Sequence, residues 1–203
     1  KNYVDKYKKY IAEAENNNEI FMRDYLRCFL MTFQFPLIVT TISFKFIENI
    51  INSDELSYNT ISYNLKGNNR NPLHKRKNVY HIFGTAKENY NWVYDERRLL
   101  DFMHSLHEKD YMAENLVNPI RNSKKRMMVL GCNMPDWLFR FLWYPIYSNH
   151  EAEGEHGYWI NNADVEDSFD AFLQDVNYAS NEDLKEILEE ITKKKKERKK
   201  EKL

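Results

Sequence analysis

The chain predicts an α/β architecture, a mostly parallel sheet flanked by helices with helical additions at both ends. Three observations carry this. Short apolar or β-branched runs at 36–41, 78–84, 127–130 and 158–161 alternate with longer segments whose apolar residues recur at helical spacing. Strands that alternate with helices are joined by crossovers and therefore pair in parallel. Hydrophobic residues at 42% and aromatics at 15% supply a core that a disordered chain lacks. The clearest unit runs from Arg126 to Pro145. Its apolar run Met127 to Leu130 breaks at Gly131-Cys132-Asn133, and Pro135-Asp136 opens a helix carrying Trp137, Leu138, Phe141 and Leu142.

Taken in order, residues 1–14 form an amphipathic helix through Tyr3, Tyr7, Tyr10 and Ile11. Residues 19–33 form a second through Phe21, Tyr25, Phe29 and Phe33, with Asn16-Asn17-Asn18 between them. The β-branched run 36–41 is a buried strand, and Phe44, Ile47, Ile50 and Ile51 return to helical spacing. Residues 58–65 alternate as a further strand, 67–72 form a loop, and 78–84 form a strand that ends in a glycine. Residues 95–107 carry the stripe Leu99, Leu100, Met103 and Leu106, and a shorter helix covers 112–120. After the 126–145 unit come a last strand at 158–161 and a helix at 165–176 with Phe169, Phe172 and Leu173 inward. Ser180 and Asp183 then look like the cap of a terminal helix with Leu184, Ile187, Leu188 and Ile191 on its apolar face. Residues 193–202 contain no apolar side chain and read as a solvated linker. The expected organisation is a helical lead-in at 1–35, an α/β domain at 36–178 and a charged C-terminal helix at 179–203.

Charge and cysteine content narrow the function. Thirty Lys and Arg against 31 Asp and Glu leave a net charge of −1, so no overall field draws the chain to nucleic acid or to a membrane surface. The apolar runs are too short to span a bilayer. Cys28 and Cys132 lie far apart without a CxxC, which fits a reducing cytoplasm. The lysine start and charged end suggest a piece of a longer protein. No metal site is expected: His104 and His107 share a helix side without a third ligand, and His150 and His156 lie in an acidic loop. No nucleophile elbow, zinc-protease helix or Walker loop is present. The five glycines, at 67, 84, 131, 154 and 157, make no dinucleotide loop. Gly131, Cys132, Asn133 and Asp136 follow a strand, where ligands of α/β sheets gather; a glycine that only lets the chain turn explains the same residues.

Three segments in order resemble the later part of a sirtuin-like domain of the divergent kind found in bacterial defence and effector proteins. Ile38-Val-Thr-Thr-Ile-Ser-Phe-Lys-Phe-Ile-Glu48 is similar to the family's T-T-N-x-D-x-x-x-E segment. Val79-Tyr-His-Ile-Phe-Gly84 is similar to its strand ending in His-Gly. Val129-Leu-Gly-Cys-Asn-Met-Pro-Asp136 is similar to its G-x-S/N-x-x-D turn, and Trp159-Ile-Asn161 to its final strand. The resemblance covers 36–162 and implies a Rossmann-like sheet, with the family's first strand and its Gly-Ala-Gly loop lying upstream of Lys1. It implies NAD or a related nucleotide as cofactor, held by Thr40, Thr41, Gly131, Cys132, Asn133, Asp136 and Asn161.

The departures bear on activity. The family's Asn falls on Ile42, its Asp on Phe44 and its catalytic His on Phe83, and none of these side chains can take a proton. The resemblance therefore implies a degenerate module with a regulatory, assembly or nucleotide-sensing role. Its expected partners are a companion effector domain in the same protein, of Toll/interleukin-receptor type, and further copies of itself. The alternative is an active NAD-cleaving domain in which His81 serves as a displaced catalytic base, although two residues along a strand move a side chain by about 6–7 Å. A second alternative is a nucleic-acid-binding module built on Lys75-Arg76-Lys77, the basic residues between Arg121 and Arg126 and the C-terminal run. It is the weaker one, because the aromatics have core spacing.

Overall fold

A computed structural model of the chain describes residues 5–6, 9, 13, 20–51, 58–63, 77–86, 92–108, 127–131, 134–147, 157–160, 166–175 and 178–180, with single positions between 187 and 197. The chain forms two compact units, Lys1–Asn115 and Leu116–Leu203.

In the first unit β3 (Asn78–His81) runs between β1 (Leu37–Thr40) and β2 (Asn59–Ser62), parallel to both. All four residues of β3 are buried, as a central strand covered on both faces must be. The outer strands each leave one residue exposed, Val39 and Thr60. The register sets Thr40 and Ser62 beside His81, so these three residues end their strands together. Helix α1 (Ile20–Phe33) buries Phe29 and Leu30 and packs beside α2 (Phe46–Ile51), which buries Ile47, Glu48, Ile50 and Ile51. Helix α3 (Glu96–Glu108) starts at Asp95, whose carboxylate accepts the Arg98 N–H at 2.8 Å and whose carbonyl accepts the Leu99 N–H. It brings Phe102 edge-on to Tyr63, with ring centroids 4.9 Å apart.

α1 ends at Gln34, a non-glycine residue at φ 49°, whose N–H reaches back to the Leu30 carbonyl at 3.0 Å. That is the left-handed helix stop usually made by glycine. The Gln34 side chain accepts a hydrogen bond from Lys77 Nζ at 2.9 Å, and the rings of Phe29, Phe33 and Phe35 cluster around the stop.

The second unit repeats the strand-helix rhythm as β4 (Met127–Leu130), α4 (Asp136–Tyr147), β5 (Gly157–Ile160), α5 (Asp167–Asp175) and β6 (Tyr178–Ser180). β5 lies between β4 and β6, all parallel. Its core is Phe139, Trp159, Phe169 and Leu173, with Met127, Val129, Met134, Trp143 and Phe172 packed around them. Arg140 bridges the two helices: its guanidinium lies 4.6 Å from the Phe172 ring centroid and donates to the Ser168 carbonyl at 3.0 Å.

The α/β class and the parallel pairing agree with expectation, and three details differ. Among the described residues the strands form two three-stranded sheets, one per unit, instead of one. Strand-helix alternation sets the direction of pairing but not the number of sheets. Ser180 belongs to β6 and pairs with Trp159, a strand that was not expected there, and the cap expected of Ser180 with Asp183 lies outside the described residues. Pro135 lies just ahead of α4, where its carbonyl accepts the Leu138 and Phe139 N–H groups, so it serves as the cap residue. Asp5, Lys6, Lys9 and Glu13 are helical in the lead-in, as are the described positions from Ile187 to Glu197, with Glu190 and Lys194 paired at 2.6 Å. The helix expected at 112–120 and the loop at 67–72 lie outside the described residues.

A left-handed residue with a Cβ costs about 1–2 kcal/mol, which glycine avoids. Gln34→Gly should therefore raise the unfolding free energy by about 0.5–1 kcal/mol after the loss of the Lys77 contact, measured by urea denaturation. A destabilised variant would show that the side-chain contact outweighs the backbone term.

Candidate functional site

Parallel strands present their carboxyl ends, and the loops that follow, along one edge where ligands of open α/β sheets gather. In the first unit this edge holds Thr40, Ser62 and His81, the loop 41–45 and the turn 82–86. The Thr40 hydroxyl accepts the Ile42 N–H at 3.1 Å, and the Ala86 N–H reaches the Ser43 carbonyl at 2.7 Å, tying loop to turn. Thr40 is buried and Thr41 exposed.

Beneath the edge His81 is wholly buried with both ring nitrogens engaged. Nδ1 lies 2.8 Å from the Ile42 carbonyl and Nε2 lies 2.8 Å from Glu48 Oε1. The Thr60 hydroxyl donates to the same Glu48 oxygen at 3.0 Å, while Glu48 Oε2 is buried without a hydrogen-bond partner. Burial pushes the Glu48 carboxyl up, but the hydrogen bond and charge of His81, with the Thr60 hydroxyl, outweigh it and hold the group below its ordinary value of 4.5.

Two apolar side chains of the loop 41–45 and the turn 82–86 pack on aromatic rings. Phe44 packs on buried Ala86 and Trp92, and Phe83 meets Phe102 edge-on at 5.3 Å. Ile42 contributes its backbone carbonyl to His81. Gly84, at φ 79°, is hemmed in: an added Cβ would lie 2.8 Å from the Tyr63 carbonyl oxygen and 2.9 Å from Trp92 Cβ. This glycine serves close packing of protein on protein.

The remaining predicted residues belong to the second unit. Gly131, at φ 55°, closes β4, and its N–H donates to the Ile160 carbonyl at 2.9 Å. Asp136 opens α4, its carboxylate accepting the Trp137 N–H at 2.7 Å and pairing with Arg140 at 3.5 Å. Cys132, Asn133 and Asn161 lie outside the described residues. The structure thus groups Thr40, Thr41 and His81 at one sheet edge, and Gly131 with Asp136 at the end of β4 in the other unit. Sequence reading missed Thr60 and the pairing of Glu48 with His81. The available signal was a carboxylate set among Ile47, Ile50 and Ile51, since a charge on an apolar stripe requires a partner. It also missed the contact of Tyr63 with Ser105, whose hydroxyl donates to the Phe102 carbonyl.

Two outcomes test this geometry. Gly84→Ala should lose about 2–4 kcal/mol of stability from strain plus overlap; a loss under 1 kcal/mol would mean that Trp92 gives way. Removing one member of a buried pair strands the other, so His81→Ala should cost about 3–5 kcal/mol, and a His81→Leu/Glu48→Leu double variant should recover most of it. Because the Glu48 value is lowered in the fold, its contribution is present above the ordinary value and is lost as the pH falls through the folded value. The double variant should lack that acid-sensitive limb in its melting temperature, and additive losses in the double variant would contradict the pairing.

The model of the SIR2-like domain family matches residues 36–180. No curated protein and no solved structure matches the chain. Thr40, Thr41, Glu48 and Gly84 fall within the matched span, which begins just ahead of β1 and ends with β6. The chain belongs to the SIR2-like domain family.

Proposed function

We propose that this chain is a SIR2-like module that does not cleave NAD and instead serves a regulatory, assembly or nucleotide-sensing role in a larger cytoplasmic protein of bacterial defence. One observation supports the reading: of Ile42, Phe44 and Phe83, which the resemblance sets at the family's polar catalytic positions, the two phenylalanines are packed on other aromatic rings. His81, the nearest imidazole, is buried with both nitrogens hydrogen-bonded, so it has no free lone pair to accept a substrate proton.

NAD is the nucleotide associated with SIR2-like domains. The resemblance assigns Thr40, Thr41, Gly131, Cys132, Asn133, Asp136 and Asn161 to it, and of these Thr40 holds the loop 41–45 through the Ile42 N–H. A companion effector domain of Toll/interleukin-receptor type and self-association complete the proposal. Exposed Trp137 and Tyr144 on α4 support assembly, since seven residues bring both to one side of the helix.

Incubated with NAD, the full-length protein, with any companion domain inactivated, should consume none above the uncatalysed background. A general base alone contributes about 10²–10⁴-fold, so its absence leaves little to detect. Steady turnover that vanishes in a His81→Ala variant still folded by circular dichroism would overturn the reading in favour of an active domain.

A further inference from the structure

The hydrogen bonds around His81 count the protons in the buried cluster. The Ile42 carbonyl can only accept, so Nδ1 carries a proton across the 2.8 Å contact. Nε2 and Glu48 Oε1, also 2.8 Å apart, require one more proton between them. The Thr60 hydroxyl donates to that same oxygen and favours the carboxylate, which makes His81 an imidazolium.

We propose that this second proton is a latch for the ligand edge: while it is shared by His81 and Glu48, the loop 41–45 is held in place, and its removal frees the loop. The ligand-facing role of the edge rests on the preceding reading; the latch does not. Without the proton one N–H is left for two acceptors, and the neutral ring carries it on Nε2 toward the carboxylate, so the Nδ1 lone pair faces the Ile42 carbonyl oxygen at 2.8 Å and that carbonyl loses its donor. The loop is also tied to Thr40 and to Ala86, so the change reaches the turn after β3. Acid acts from the other side, since a proton added to Glu48 Oε2 creates a buried hydroxyl with no acceptor. The loop is therefore held within a window of pH closed at both ends.

Among the described residues, the groups that act on the Glu48 carboxyl are His81, the Thr60 hydroxyl and a backbone hydrogen bond of its own. On α2 the charge is Glu48, and the charge acting on it is that of His81. From β1 and β2 the groups on this side are the hydroxyls of Thr40, Thr60 and Ser62. Tyr58, Tyr63 and Tyr80, in or beside the strands, are pushed up by burial and keep their protons across the window. Asp24 of α1 and Lys45 ahead of α2 are exposed, and Arg27 of α1 is half-buried.

Nuclear magnetic resonance of the full chain tests the latch. With ¹⁵N in the histidine rings and ¹³C in the glutamate carboxyls, His81 and Glu48 at neutral pH should together hold two protons, and the Ile42 to Phe44 amides should be protected from exchange. Protection, corrected for intrinsic rates, should fall about tenfold on leaving the window in either direction. In Glu48→Gln the carboxamide can donate to Nε2 of a neutral ring, so both hydrogen bonds persist and protection should stay flat over the same range. A single proton in the wild-type pair would overturn the proposal without any variant, as would an unchanged pH response in Glu48→Gln. Added NAD separates the two ideas, because an intact latch whose loop amides ignore NAD would count against the ligand edge alone.

Discussion

A carboxylate in a protein interior costs several kcal/mol unless a partner takes up its charge and its lone pairs. In the first unit the arrangement of four elements answers to that requirement. Glu48 comes from α2, His81 from β3, Thr60 from β2, and the Ile42 carbonyl from the loop after β1. Were β2 and β3 displaced by one residue in register, every side chain would change face and the cluster could not form. The apolar contacts of Ile47, Ile50 and Ile51 supply burial, but they are interchangeable among themselves; the polar cluster selects one register.

Apolar side chains and an acid-base pair lie close together in this unit. Phe83 meets Phe102 edge-on and Phe44 packs on Ala86 and Trp92, while His81 and Glu48 are buried with Nε2 2.8 Å from Oε1. The low local dielectric of such surroundings strengthens the electrostatics of a pair.

Much of the fold was legible along the chain. The apolar runs at 36–41, 78–84, 127–130 and 158–161 contain the strands 37–40, 78–81, 127–130 and 157–160 to within a residue at their starts, because short buried strands are encoded locally. Asp95 marked the start of α3 through its own side chain. β6 was not legible, since Tyr178-Ala-Ser180 has no pattern of its own and exists through pairing with β5. Nor was the partner of His81, which lies 33 residues away and meets it only after β2 has been threaded alongside. Gln34 escaped notice because nothing in a glutamine announces a left-handed backbone. At the site, the resemblance marked Glu48, whereas the use to which His81 is put depended on distances that no spacing encodes.

Trp92 is the sole tryptophan of the first unit, while Trp137, Trp143 and Trp159 belong to the second. It is wholly buried against Gly84 and 5.1 Å from the Tyr94 ring, beside the turn that Ala86 ties to the loop 41–45. With the other three replaced by phenylalanine, the indole emission of the whole chain would come from this one ring. The protein carries its own optical gauge of the edge, one whose colour follows water entering beneath the loop and not the melting of the second core.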